Sequence, residues 1–327
     1  MSKKVIAQTK RTIKRVVCLG GGNAMPKAVL TGLKKQPFQL IVICAMLDSG
    51  GSAGRLRKDY HLVSPGDIRR ALLALANTSP VLQELFNYRF QTGQLKGHHF
   101  ANLFITALEL ATNDYEKSFQ ELSRILNVSH QVLPVTLDNS HLYAILENNQ
   151  VIKGEGNIDR PQHDGHLRIK KVYLKPTARA YPKAVAAIKK ADFIIIGPGD
   201  LYSSLVQILL TQGISEAIKK SRAKRIFICN LMTKYGETNN FTVLDFAKEI
   251  EKYLKCELDY VIYNKFIPDK KIISRYKRNH PELLELVRVN ENLPKDKFIG
   301  CNLLKKDLIE HHPQKLTRSI LSIINKS

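Results

Sequence analysis

RVVCLGGGNAMPKAV, Arg15 to Val29, and LDSGGSAGRLR, Leu47 to Arg57, decide the fold of this chain. In the first, an apolar run meets Gly20, Gly21 and Gly22 and then opens a segment in which Met25, Val29, Leu30 and Leu33 recur at helical spacing. A second apolar run, Gln39 to Met46, leads to Asp48 and another cluster of glycines. This reads as a β-α-β unit with a glycine-rich turn after each strand. Such turns let backbone N–H groups approach an anion, and a helix N-terminus adds a favourable dipole, so the expected ligand carries a phosphate or diphosphate.

Outward from this unit, the alternation continues. Pro65, Gly66 and Asp67 precede IRRALLALA, where Ile68, Ala71, Leu72 and Leu75 form one helical face. Further helices are predicted from about Val81, from about His99 to Ala111, and from Asp114 to Leu126. Between residues 131 and 175 the pattern changes to short alternating segments, VLPVT, HLYAILEN, VIKGE and RIKKVYL, which predict a small β-rich excursion. From Tyr181 the strand–helix order resumes, with strands expected at Phe193–Ile196, Arg225–Cys229 and Tyr260–Tyr263. The expected fold class is α/β, a Rossmann-like, doubly wound, mostly parallel sheet, in one domain over residues 15–325 after a basic extension, residues 1–14.

Composition narrows the function. A hydrophobic fraction of 44% with 24% charged residues is that of a folded soluble chain, and no apolar run approaches the ~20 residues that span a bilayer. Val16 to Leu19 is too short for the apolar segment of a secretory signal, so a cytoplasmic location without membrane contact is expected. Cys18, Cys44, Cys229, Cys256 and Cys301 form no CxxC pair and read as free thiols, mostly buried. The net charge of +22 admits nucleic acid or an anionic surface as partner, or simply solvated lysine. Its spread over Lys34-Lys35, Lys170-Lys171, Lys189-Lys190, Lys219-Lys220 and Lys270-Lys271, with no nucleic-acid motif, favours the last.

In doubly wound sheets ligands bind outside the carboxyl ends of the strands, and the polar clusters fall there. Gly20, Gly21, Gly22 and Asn23 resemble a dinucleotide fingerprint whose third glycine is replaced by Met25; a tight strand-to-helix turn without a ligand is the other reading. Asp48 is placed to meet a ribose or hold Mg²⁺ beside a diphosphate, or to cap its turn. Ser49, Gly50, Gly51 and Ser52 offer small polar groups and N–H donors, and Arg55 and Arg57 can neutralise phosphate. Asp67 reads as a helix cap. His98 and Asn102, at i and i+4, are candidates for a proton donor and an amide hydrogen-bonder on one helix face, with His99 facing elsewhere. GPGDLYSS contributes Gly197, Gly199, Asp200, Tyr202 and Ser203 as a second wall, joined by Asn230, Thr233, Glu237 and Thr238 of CNLMTKYGET. No P-loop lysine motif, GxSxG elbow or zinc-ligand cluster is present.

The ordered blocks GGGNAMPKAVLTGLKK, DSGGSAGRLR, SPGDIRRALLALA, GHHFANLF, IIIGPGDLYSS and CNLMTKYGET resemble the YvcK/GlmR (gluconeogenesis factor) branch of the CofD-like family. The likeness continues through LDYVIYN and HHPQKL. It implies a CofD fold, a homodimer, and a regulator that binds UDP-sugars, notably UDP-N-acetylglucosamine, linking carbon metabolism to cell-wall precursor synthesis and cell shape through a partner enzyme of amino-sugar metabolism. The neighbouring CofD branch implies Mg²⁺-dependent transfer of a phospholactyl group from a nucleotide diphosphate to a deazaflavin. By the same resemblance, Gly20–Asn23 and Gly50–Ser52 match the diphosphate turns, Asp48 the first of an acidic pair, His98 and Asn102 the GHxxxN helix, and Gly197, Gly199, Tyr202, Ser203, Asn230 and Thr233 the distal wall. Ser49 stands where the family has its second aspartate, Asn23-Ala24 where Thr-Gly is commoner, and Asp200 where the GPG turn has a serine.

Three functions are open at this level. A UDP-sugar sensor binds without turnover. A CofD-type transferase uses Mg²⁺ with Arg55 on the leaving diphosphate and Asp48 or His98 at the acceptor. A basic interaction protein binds RNA or acidic lipid. Loss of the second acid favours the sensor, and NAD remains a possible alternative nucleotide on the same turns.

Overall fold

In the computed structural model, residues 13–62 and 64–326 are described; the expected basic extension lies, through residue 12, outside them. In chain order the strands are β1 (Lys14–Gly20), β2 (Phe38–Cys44), β3 (Gln131–Pro134), β4 (His141–Leu146), β5 (Val151–Lys153) and β6 (Ile169–Lys175). After them come β7 (Phe193–Ile196), β8 (Lys224–Ile228), β9 (Met232–Lys234), β10 (Tyr260–Asn264), β11 (Leu283–Leu286), β12 (Phe298–Cys301), β13 (Leu304–Lys305) and β14 (Leu308–His311).

Seven of these form one sheet in the order β12-β10-β8-β7-β1-β2-β3, with every neighbouring pair parallel. Parallel strands covered on both faces must be apolar throughout, and Val16 to Leu19, Leu40 to Cys44 and Phe193 to Ile196 are all buried. From β1 the chain steps outward through β2 to β3; from β7 it steps the opposite way through β8 and β10 to β12. The order therefore reverses between β1 and β7, where Leu19 lies level with Ile196, and a crevice opens beyond the carboxyl ends of these two strands.

The helices that close this crevice follow the sequence pattern. Met25, Val29, Leu30 and Leu33 are all buried beneath a π-helical turn, Pro26–Leu30, that runs into Thr31–Leu33. Ile68, Ala71, Leu72 and Leu75 bury the inner face of the Gly66–Leu75 helix against β2 and β3. Helices at Pro80–Asn87, Phe100–Thr112 and Tyr115–Ile125 stand where they are expected.

Two expectations are corrected. VLPVT belongs to the main sheet, because β3 pairs in parallel with β2 as its edge strand; within the excursion only β4, β5 and β6 form an antiparallel sheet, in the order β5-β4-β6, and β9 with β11 and β13 with β14 make two further antiparallel pairs. SGGSAGRLR is less a loop than a helix, Gly51–Tyr60, so Gly54, Arg55 and Arg57 lie inside it. Cys18, Cys44 and Cys229 are buried and all five thiols are free. Among the described residues no helix is long and apolar enough to cross a membrane.

Candidate functional site

A cavity of about 1040 Å³ occupies the crevice, lined from both halves of the sheet. Its β1 side is the turn Gly21–Asn23, with Asp48, Gly50, Gly51 and Ser52 of the neighbouring turn beside it and Asp67 and Asn102 behind. The opposite side is made by Gly199, Asp200, Ser203 and Asn230. These thirteen of the twenty residues singled out from the sequence are brought together around one space.

The glycine turn is arranged differently from an open phosphate cradle. Gly22 has φ +63°, a left-handed conformation suited to glycine, and its N–H donates to Asp67 Oδ1 at 2.9 Å. A Cβ on Gly21 would fall 1.9 Å from Asp67 Oδ2, so the missing side chain there makes room for that carboxylate. Asp67 makes no cap to its own helix; it bridges the turn to Arg70, with which it forms a short ion pair. The anion held by this turn is thus the protein's own aspartate.

Asp48 Oδ1 accepts from the Gly50 N–H at 2.9 Å, and its Oδ2 lies 3.9 Å from Arg70. Burial, reinforced by Asp67, pushes its carboxyl above the usual range. Ser49, in place of a second aspartate, faces the small sheet. Its hydroxyl accepts from the Gly156 N–H at 2.9 Å and its own N–H donates to Glu155 Oε2 at 3.2 Å. Glu155 comes from the short helix Glu155–Asp159 that follows β5, so the small sheet delivers an acid to the place where Ser49 lacks one. Burial first, then Asp48 and Asp159, push Glu155 up to about 9.

Ser52 Oγ is a junction. Asn102 Nδ2 donates to it at 3.1 Å and the His99 N–H at 3.3 Å, which leaves the hydroxyl to donate to His98 Nδ1, 3.2 Å away. His98 and Asn102 do converge, though through this serine and not as i, i+4 neighbours, since the helix starts at Phe100. It is His99 that lines the cavity, contrary to the expectation that it faces elsewhere. Its Nε2 accepts from Arg89 Nε at 3.1 Å while Nδ1 lies 3.3 Å from the Asn87 carbonyl, which requires the neutral Nδ1–H tautomer.

Seven of the chosen residues do not line the cavity. Gly20 ends β1 against Met25, Ser49 turns to Gly156, and His98 sits behind Ser52. Gly197 precedes the distal turn. Arg55 is exposed on the outer helix face and donates to the Lys96 carbonyl at 3.3 Å. Tyr202 is buried with its hydroxyl on Glu249 at 3.0 Å, and Thr233 is buried against the backbone of Glu285. Arg57, too, is structural: its buried guanidinium holds the Leu47 carbonyl at 3.0 Å and Asn139 Oδ1 at 2.8 Å.

Positive charge at the cavity comes instead from Lys27, Arg69, Arg70, Arg89, Arg160 and Lys234. The tandem Arg69-Arg70 beside the apolar stripe of IRRALLALA was the available signal, since an arginine bordering a buried face must bring its charge to a polar cleft. Lys234, on β9, reaches Asp200 at 2.9 Å and Glu237 at 3.1 Å and also pairs with Asp159. Glu237 in turn accepts the Tyr202 N–H at 2.9 Å and the Ser203 hydroxyl at 2.8 Å, anchoring the start of the distal helix. The extra acid of the GPG turn is therefore neutralised by a lysine of the same wall.

Two groups of carboxylates bear on a metal. Ligand oxygens of Asp159, Asp200 and Glu237 lie within 4.8 Å of one another, but Lys234 Nζ already stands among them as the cation. Asp48 and Glu155 both line the cavity, partly buried and with raised carboxyls, and are the residues that would hold a Mg²⁺ ion.

Known proteins place this architecture. The profile of the 2-phospho-L-lactate transferase CofD family matches residues 16–309. The gluconeogenesis factor of Bacillus subtilis is 34% identical over 321 residues, covering 95% of this chain and 98% of that protein. That of Halalkalibacterium halodurans is 35% identical over 317 residues, covering 94% and 96%. A crystal structure of a Bacillus halodurans protein superposes with a TM-score of 0.88 at 34% identity, covering 95% of this chain and 100% of that one, and a structure of a UPF0052 family member from the same organism gives the same score and identity. With a family profile spanning nearly the whole sheet and relatives matching end to end, the chain belongs to the gluconeogenesis factor (YvcK) branch of the CofD family.

Proposed function

We propose that the protein is a sensor that binds a nucleoside diphosphate sugar, of the UDP-N-acetylglucosamine kind, in the crevice between β1 and β7 and returns it unaltered. The observation that carries this reading is the cavity itself. Its volume of about 1040 Å³ is at the upper end for a small-molecule site and suits a ligand made of a base, a ribose, a diphosphate and a second sugar. Its walls supply the arginines Arg69, Arg70 and Arg89 from one side and the backbone and amide groups of Gly199 and Asn230 from the other. Asn230 Nδ2 holds the Gly199 carbonyl at 2.9 Å, while Asn230 Oδ1 is buried without a donor and is suited to a base or sugar N–H or O–H. A bound ligand that bridges the two halves of the sheet favours one relative arrangement of the walls, and a partner enzyme of amino-sugar metabolism, met by a homodimer, would read that arrangement.

The carboxylates Asp48 and Glu155 support a second reading, a transferase of the CofD type, in which a Mg²⁺ ion held there neutralises the leaving diphosphate. In that case Asp48 and Glu155 hold the ion and the Arg70 guanidinium orients the donor, while the acceptor hydroxyl needs a base. His98, screened behind Ser52, is poorly placed to serve, which favours binding without turnover.

Calorimetric titration with UDP, UDP-N-acetylglucosamine, UDP-glucose, GDP and NAD, with and without Mg²⁺, followed by product analysis, separates these functions. A UDP-sugar that binds with micromolar affinity and is recovered intact is the expected result. Release of UDP or UMP in the presence of a hydroxylated acceptor would establish the transferase, and binding only of RNA or acidic vesicles, weakening steeply with salt, would replace both.

A further inference from the structure

We infer that Arg69, with Arg89 and the neutral His99, forms a phosphate-binding pocket on the Phe100–Thr112 side of the crevice, and that this pocket, not the glycine turn after β1, receives the oxyanion of the ligand. The inference rests on the proposed nucleotide reading only for the source of the phosphate.

Arg69 carries the argument. It is 6% exposed, it lines the cavity, and its Nε is buried with no hydrogen-bond partner. No carboxylate among the described residues pairs with it. The two nearest in influence are engaged: Asp67 with the Gly22 N–H and Arg70, Asp48 with the Gly50 N–H. A buried guanidinium without a counter-charge is expensive, and a protein tolerates it where an anion from outside completes the site. Burial first, then Arg70 and Arg89, push Arg69 down to about 10. Arg89 is exposed at the rim and is oriented by His99 Nε2, which accepts from both its Nε at 3.1 Å and its Nη2 at 3.0 Å. Burial and the two arginines hold His99 at about 4, so it stays an acceptor for Arg89 at neutral pH and adds no competing charge. Asn102, 2% exposed, leaves Oδ1 buried without a donor at the same wall, an acceptor for a hydroxyl of the ligand or a protonated phosphate oxygen. The planar fork of Arg69 matches the paired oxygens of a phosphate, and Arg89 adds the guanidinium edge that His99 leaves open.

The test uses the full chain and two probes, inorganic pyrophosphate and UDP, titrated by calorimetry into the parent and into R69M, R89A and R55A. R55A removes the same charge from an exposed position outside the cavity and controls for net charge. Pyrophosphate should bind the parent, lose about tenfold or more in R69M and in R89A, and change less than twofold in R55A. If R69M fails to fold, R89A decides the outcome, because Arg89 is exposed. No binding of pyrophosphate to the parent, or equal binding to parent, R69M and R89A, would overturn the pocket. UDP that shares the arginine dependence identifies the diphosphate as the occupant. Arginine-dependent pyrophosphate binding with no nucleotide bound would keep the pocket and remove the nucleotide reading. Nucleotide bound with no arginine dependence would do the reverse.

Discussion

Asp67 shows how one side chain can hold two halves of a site together. It accepts from the Gly22 N–H and pairs with Arg70, and it is 6% exposed, so its removal strands a partly buried arginine and an N–H at once. D67A is expected to lower stability by about 3 kcal/mol, while D67N, which keeps an acceptor for Gly22, costs clearly less; urea denaturation of both variants checks the order. Glu155 gives a pH signature. Its folded pKa is raised from 4.5 to about 9, so the folded state binds more protons than the unfolded one across that interval. The stability it lends is full below about 4.5 and is lost as pH rises through about 9. E155Q should therefore lose less stability than the parent between pH 5 and 9 in a series of thermal melts. Parallel profiles would show that Glu155 titrates normally.

At the scale of elements, the Gly51–Tyr60 helix is set by close contact. A Cβ on Gly54 would fall 2.1 Å from the Ser49 carbonyl oxygen, and Gly54 N–H closes the first turn on Gly50 O at 2.8 Å. G54A must push the helix away from the Asp48–Ser49 turn, so weaker ligand binding is expected together with a loss of stability. G22A, by contrast, meets no atom within 4 Å and should cost only the roughly 1 kcal/mol of a left-handed alanine. The Gly66–Leu75 helix carries Asp67, Arg69 and Arg70 on one flank and is anchored by its opposite face. Truncation of fully buried Leu72 to alanine is expected to cost about 2–5 kcal/mol in denaturant unfolding, with the binding residues unchanged.

For the whole molecule, a ligand that joins the two halves of the sheet should appear as stability. At a hundredfold excess over Kd, binding to the folded state alone adds about 2.7 kcal/mol, a clear rise in Tm. The absence of any rise with a UDP-sugar that calorimetry shows to bind would mean that the ligand contacts one wall only. The net charge of +22 adds a field that draws anions to the molecule and is weakened by salt, so the association rate with a diphosphate should fall between low and physiological ionic strength.

The sequence by itself determined the parallel sheet, the crevice and the family. Apolar runs such as VVCL and FIII leave no exposed face, glycines at their carboxyl ends leave no other place for a ligand, and the ordered motifs are specific enough to name a branch. Local periodicity likewise placed Ile68, Ala71, Leu72 and Leu75 in the core, because helical spacing alone decides which side of a helix is dry. The tertiary structure alone decided which polar residues meet. Arg55 and Arg57 belong to a helix that points them away from the cavity or into the backbone, whereas Arg69, on the next helix, and Arg89, beyond the one after it, face the site. Glu155, Asp159 and Lys234 arrive from distant parts of the chain because the small sheet and β9 fold back over the crevice. Motif spacing carries local geometry, and polar groups that find each other across a hundred residues or so are set by packing, which no local pattern records.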